Sequence, residues 1–276
     1  WTFDSITQEY DDWDTIRYAL SIGIGHDPTD ARQLRFTLED DLRAFPTMAL
    51  VLASPGFWPQ DPDTGIDWKN VLHVAERLEL HRPLTNAGRL SARIQVTDIV
   101  DRGERRGALI RTVREIFDGY SGDRLATETT DFLCRGDGGC GGPGVPLPKP
   151  HPVPDRTPDA VLAFETLPQQ ALFYRLNGDH NPLHANPEVA AAAGFDRPIL
   201  HGRCTLGHAV HAVLAVMADY DSDRVKNVQV RFTAPVFPGE TLRTEMWREA
   251  DTVSFRTIAE ERDVAVLSNG RVDLAP

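Results

Sequence analysis

Cysteine is scarce in this chain: Cys134, Cys140 and Cys204 are the only three in 276 residues. So small and odd a number builds no disulfide framework and points to a reducing compartment. Cys134 and Cys140 flank a glycine-rich loop with no histidine or second cysteine pair nearby, which is not the spacing of a zinc site. Lysine is confined to Lys69, Lys149 and Lys226, a bias we assign to the genome and not to function. Long apolar runs are missing too. The longest covers residues 212–218, far short of the roughly 18–20 residues that cross a bilayer. No signal or lipidation motif stands in the sequence, and the Leu-Ala-Pro end is no peroxisomal address. Positive charge is in deficit, with 29 Lys and Arg against 41 Asp and Glu and a net charge of −12. A polyanionic nucleic acid is repelled on average, although a local basic pocket for a phosphorylated small molecule is compatible with that total.

What is present is ordinary globular material. Hydrophobic residues make up 41% and charged residues 25%, which excludes disorder as the main state. The length suits two domains of usual size. Glycine and proline crowd out apolar residues from position 135, in a segment that suits neither a core helix nor an interior strand. Residues 135–158 are therefore predicted to link an N-terminal part, 1–134, to a C-terminal part, 159–276.

In the second part Leu206, Val210, Val213, Leu214 and Met217 fall at helical spacing, predicting one long buried helix over 203–220. Val228, Val230 and Phe232 then alternate with polar residues, and strand-like runs follow at 241–248, 252–259 and 264–272. The first part repeats the plan. Residues 45–53 are the expected matching helix, and 90–98, 107–117 and 125–133 read as strands. Pro83 to Leu90 and Pro235 to Leu242 echo each other ahead of a strand, which fits duplication. In the first part only, Val71, Val74, Ala75 and Leu78 predict an added amphipathic helix over 67–80.

Chemistry concentrates in YRLNGDHNPLH, residues 174–184, and in GFDRPILHGR, residues 194–203. Gly178 and the Asn181-Pro182 step break regular structure, so Asp179 and His184 are expected on one rigid turn. A carboxylate and an imidazole held together there can share a water and exchange its proton near neutral pH. The same residue types also serve as turn formers and helix caps. His180 and His184 stand four apart, but Pro182 between them removes the helix a metal pair needs, and no third ligand lies at a familiar offset. No Gly-x-Ser-x-Gly elbow exists, and Cys204 falls in the predicted helix start. Gly202 opens that helix, where an unhindered amide and the helix dipole favour a developing negative charge. It also serves equally well as a plain tight turn.

These two runs, together with RFTAPVFPGETLRTEMW and SNGRVDLAP near the end, resemble the R-specific 2-enoyl-CoA hydratases, the hydratase 2 branch of the MaoC-like dehydratases. RYALSIGIG, FPTMAL, VLHVAERLEL and TDIVDRGERRGAL extend the resemblance over nearly the whole chain. It implies an α+β double hotdog, two antiparallel-sheet halves each wrapped around a long helix and joined into one sheet. It implies that the C-terminal half carries the catalytic pair, at Asp179 and His184, with Gly202 at the oxyanion position. The N-terminal half, by the same resemblance, lacks such a pair and opens an acyl tunnel. Family positions that touch acyl-CoA match Asn181, Phe232, His73, Val74 and Arg102. Val74 stands where the family often has Gly, and Arg102 where it often has Lys. The implied reaction is reversible hydration of trans-2-enoyl-CoA to (3R)-3-hydroxyacyl-CoA in β-oxidation of fatty acyl or sterol side chains. No metal or separate cofactor is implied, and a homodimer is expected. The cytoplasm is the expected location in a bacterium and the peroxisome in a eukaryote. Two alternatives stand beside this: a hotdog acyl-CoA thioesterase, and a non-catalytic subunit that shapes the tunnel of a partner hydratase.

Overall fold

Along Ala108–Asp118 every second residue from Ala108 to Ile116 is buried, the two-residue period of a strand with one face on a core. That period recurs through most of the chain and gives its strands. The computed structural model describes residues 1, 3–142 and 148–276. The first half contributes β1 (Ile6–Tyr10), α1 (Asp12–Ser21), α2 (Ala31–Leu34), β2 (Val71–Leu80), β3 (Gly88–Asp101), β4 (Ala108–Asp118) and β5 (Arg124–Cys134). The second contributes β6 (Ala160–Glu165), α3 (Gln170–Tyr174), α4 (Pro187–Ala192), α5 (Gly202–Met217), β7 (Val225–Phe232), β8 (Thr241–Glu249), β9 (Thr252–Ala259) and β10 (Val264–Leu274).

All ten strands lie in one sheet, in the order β1-β3-β4-β5-β2-β7-β10-β9-β8-β6. Read outward from the central β2–β7 pair, the two halves follow the same sequence of strands. That repetition is the signature of duplication, and the two proline-led echo segments enter equivalent strands, β3 and β8. Antiparallel pairing of Ala75 with Arg231 through Glu79 with Asn227 makes the sheet continuous across the halves. This is the double hotdog arrangement.

Helix α5 is its axis. Residues Cys204–Leu214 are buried on every side, as expected of a helix that the sheet wraps on one face and the first half covers on the other. The strand predictions over 90–98, 107–117, 125–133 and the second-half meander agree with the structure within a few residues.

Two helix predictions are corrected. Residues 45–53 hold only a 3-10 turn, Pro46–Leu50, instead of a long helix. Pro46 starts it from an extended Phe45, and the left-handed Ala53 (φ 46°) followed by Pro55 ends it. Residues 67–80 hold a 3-10 turn, Trp68–Asn70, and then strand β2. A bulge between His73 and Ala75 breaks the two-residue alternation there, and the broken pattern imitates helical spacing. Ladder hydrogen bonds from β5 and β7 on both edges decide for strand. Within the predicted linker 135–158, residues 143–147 lie outside the described residues, and the rest forms neither helix nor strand.

Candidate active site

Asp179 sits in the break that Gly178 makes at the end of a 3-10 turn, where the glycine adopts φ 103°. The Asn181 amide donates to its Oδ1 at 3.2 Å, and Asn181 Oδ1 in turn accepts from the Leu183 amide at 3.0 Å. Pro182 opens the next 3-10 turn, Pro182–His184. This succession of side-chain-capped turns fixes Asp179 and His184 relative to each other. His184 Nδ1 is 2.8 Å from the Ile199 carbonyl. A carbonyl only accepts, so Nδ1 carries the proton and Nε2 is left as an acceptor.

His201 completes a cluster. Asp179, His184 and His201 bring a carboxylate oxygen and two ring nitrogens within 4.8 Å of one another, a grouping able to hold a metal ion. The two imidazole rings are in contact and tilted against each other. His180 is outside this group. His201 Nε2 is 3.3 Å from the Asp179 carbonyl, and its Nδ1 is buried with no hydrogen-bond partner among the described residues.

Burial lowers the His184 pKa, against the opposing pull of Asp179. Burial and the adjoining His184 lower that of His201 to about 3. Both rings are therefore neutral at neutral pH. Burial acts to raise the Asp179 carboxyl, but the charge of His201 and His184 when protonated, the Asn181 amide and Arg203 outweigh it and hold the group below its ordinary value. The resting pair is a carboxylate beside a neutral imidazole.

A cavity of about 520 Å³ opens on this pair and draws its walls from both halves. Asp179, Asn181, His184, Gly202 and Phe232 line it from the second half, and His73 and Val74 from the first. Seven of the eight predicted site residues thus share one cavity. Arg102 does not line it: it lies in the turn between β3 and β4, its amide bonded to the Gly107 carbonyl at 3.0 Å. The cations that do line it are Arg135, beyond β5, and Arg114 and Arg203.

Gly202 is the first residue of α5, whose N-cap His201 makes no side-chain capping bond. A Cβ at Gly202 would lie 3.1 Å from the Phe232 ring. Glycine thus leaves the helix-start amide open and lets Phe232 close over it. The His73 ring packs between Phe232 and Phe132, with centroids 4.5 and 5.4 Å away, giving that side an aromatic wall.

His201, Arg203, Glu76, Arg114 and Glu128 escaped prediction. A signal for three of them was present: Glu76, Arg114 and Glu128 occupy inward-facing strand positions, where a charge requires a buried partner.

A duplicated antiparallel sheet on one central helix, with a carboxylate, an imidazole and an open helix-start amide on one cavity, defines an acid–base enzyme of the hotdog class. Residues 8–136 match the MFE-2 hydratase 2 N-terminal domain, and residues 150–269 match the MaoC like domain. The chain belongs to the MaoC-like dehydratases, in their hydratase 2 branch. Enoyl-CoA hydratase ChsH3 of Mycobacterium tuberculosis is 38% identical over 94% of this chain and 90% of its own. Mouse peroxisomal multifunctional enzyme type 2 is 38% identical over 99% of this chain, which spans only 37% of that longer protein. A crystal structure of a MaoC-like dehydratase from Phytophthora capsici superposes with a TM-score of 0.87, at 34% identity, over 99% of this chain and 95% of its own.

Proposed function

We propose that the protein hydrates trans-2-enoyl-CoA thioesters to (3R)-3-hydroxyacyl-CoA, reversibly, as a hydro-lyase of β-oxidation-type acyl or sterol side-chain breakdown. One observation carries this reading: Asp179, His184 and the Gly202 amide border a single cavity. The names of the hydratase relatives support it.

In this mechanism the thioester carbonyl accepts from the Gly202 N–H. Asp179 and Nε2 of His184 hold one water between them. Its oxygen adds to C3, its proton passes to the pair, and a proton is delivered to C2 as the enolate collapses. H and OH are added across one double bond on one face, and the pair ends as it began. The Gly202 amide stabilises the oxygen where charge develops, which is worth about 10²–10³-fold in rate for a single such donor. The reaction needs no metal or separate cofactor, because CoA enters as part of the substrate. In this reading Arg135, on the cavity wall, meets a CoA phosphate. The protein works as a homodimer, in the cytoplasm of a bacterium or the peroxisome of a eukaryote.

The test is hydration of enoyl-CoA substrates from crotonyl upward, with chiral analysis of the product. A (3R)-3-hydroxyacyl-CoA with the thioester intact is the expected result. Release of free CoA thiol instead would make the protein a thioesterase, and inactivity of the isolated chain would make it a partner subunit.

A further inference from the structure

The residue after the oxyanion glycine is a largely buried arginine at the edge of the cavity. Arg203 sits in the first turn of α5, and its guanidinium crosses to the first half. Nε donates to Glu76 Oε2 at 2.8 Å, Nη1 to the Leu50 carbonyl at 2.9 Å, and Nη2 to Thr130 Oγ1 at 3.3 Å and to Glu128 Oε1. Glu128 also receives Arg114 Nε at 2.5 Å. Arg114 spends its remaining donors on the carbonyls of Leu52, Ala49 and Leu50, at 2.6, 3.2 and 3.0 Å. Thr130 Oγ1 donates to Glu76 Oε1 at 3.1 Å.

Two cations and two carboxylates balance in charge, and every guanidinium nitrogen has an acceptor. None of their atoms is left buried without a partner among the described residues. The Glu76 side chain is fully buried, and those of Arg114 and Glu128 are nearly so. Glu76 Oε2 also lies 3.1 Å from Nε2 of His73 on the cavity wall. A network of this kind is rigid, since moving any member strands a buried charge. Part of it rests on the Pro46–Leu50 turn, whose free carbonyls at Ala49 and Leu50 receive the arginines. The turn that replaces a long helix in the first half thereby becomes an anchor for the first turn of α5.

We propose that Arg203, held by Glu76 and Glu128, is a positioning residue: it locks the start of α5 against the first half and so sets where the Gly202 amide points. The half without a catalytic pair thus contributes to the transition state through its carboxylates. This rests on the hydratase reading above. A donor misplaced by about 1 Å costs about 10²-fold in rate, while ground-state binding through the rest of the acyl-CoA is retained.

The experiment compares Arg203→Met, Arg203→Lys and Glu76→Gln with the unaltered chain, in kcat and KM for enoyl-CoA hydration and in thermal unfolding. Arg111→Met is the control, because it removes another largely buried first-half pair, to Asp131 at 2.6 Å, away from the cavity. The expected result is a fall in kcat of about 10–100-fold for Arg203→Met with KM within about threefold. Partial recovery is expected in Arg203→Lys, and an intermediate loss in Glu76→Gln, which keeps the shape but not the charge. Arg111→Met should keep kcat within about twofold while losing comparable stability. If Arg203→Met fails to fold, Glu76→Gln carries the test by the same split. Unchanged kcat, a loss confined to KM, or an equal loss of kcat in Arg111→Met would overturn the proposal. An unaltered chain without hydratase activity would overturn the proposed function instead.

Discussion

The His184 and His201 rings stack 3.8 Å apart, centroid to centroid, at an interplanar angle of 31°. Burial makes charging either ring costly, and at His201 the adjoining His184 adds to that cost. His184 therefore titrates below the ordinary histidine value and stays an acceptor in the neutral range. Asp179 titrates below the ordinary carboxylate value and stays charged. On the proposed mechanism the active form, carboxylate plus neutral imidazole, is thus lost only from the acid side. We expect kcat/KM to stay level down through about pH 6.5, the ordinary histidine value, and to fall only at lower pH, where His184 takes up a proton. A pH series with crotonyl-CoA checks this, and a rate that climbs as pH drops through 6 would contradict it.

Removing either partner of the shared water tests the pair itself. Asp179→Asn keeps the shape and the contact to the Asn181 amide but removes the base, and His184→Gln removes the imidazole at similar length. Each should cut kcat by about 10²–10⁴-fold, the usual worth of an acid–base group. Each should leave the circular dichroism spectrum unchanged. Turnover within tenfold of the unaltered protein would move the chemistry elsewhere.

How far the sequence foretold this site depended on where local signals were strong. Gly178 and Pro182 announce turns by their own backbone restrictions, so the placement of Asp179 and His184 was legible without any neighbour. The period of Val228, Val230 and Phe232 was equally plain. Residues 67–80 were not, because β2 is a strand by virtue of ladder bonds to β5 and β7, one of them in the other half, and its bulge hid the alternation. The turn at Pro46–Leu50 was hidden for a related reason, since a buried apolar run reads alike whether or not proline and a left-handed residue cut it short. Arg203 carries no local signal of its partners. Its partners lie at Glu76 and Glu128, and only the closed sheet brings them to it.

Three buried histidines make stability depend on pH as well. Burial is the main cause that lowers His201 to about 3, His208 to about 4 and His211 to about 3. His208 has no hydrogen-bond partner at either ring nitrogen among the described residues. Their folded values lie below the unfolded one, so below about pH 6.5 the unfolded chain binds protons the folded chain refuses. Stability is then full above about pH 6.5 and falls as pH drops toward 4, by about 1 kcal/mol per pH unit for each group once the unfolded form is charged. Urea unfolding at pH 7.5, 6, 5 and 4 should show the midpoint falling throughout. His208→Leu, which fills similar space without a titrating group, should flatten that fall, and an unchanged slope would exclude His208 as a contributor.

Gly207 sits mid-helix on α5, where alanine ordinarily stabilises by about 1 kcal/mol through helix propensity. Here the sign reverses. A Cβ at Gly207 would lie 2.5 Å from Ile22 Cγ2 and 3.0 Å from Ile22 Cβ, and Ile22 is itself fully buried at the end of α1. Neither a central helix nor a packed isoleucine yields by that much without strain, and overpacking costs typically 1–3 kcal/mol. Gly207→Ala should therefore lower stability by about 1–2 kcal/mol net, or Tm by several degrees for a chain of this size. Ile22→Ala removes the colliding Cγ2, so Gly207→Ala should cost less in that background than alone. Equal costs in both backgrounds would mean that the two residues do not meet, and that the first half does not lie against α5 at this point.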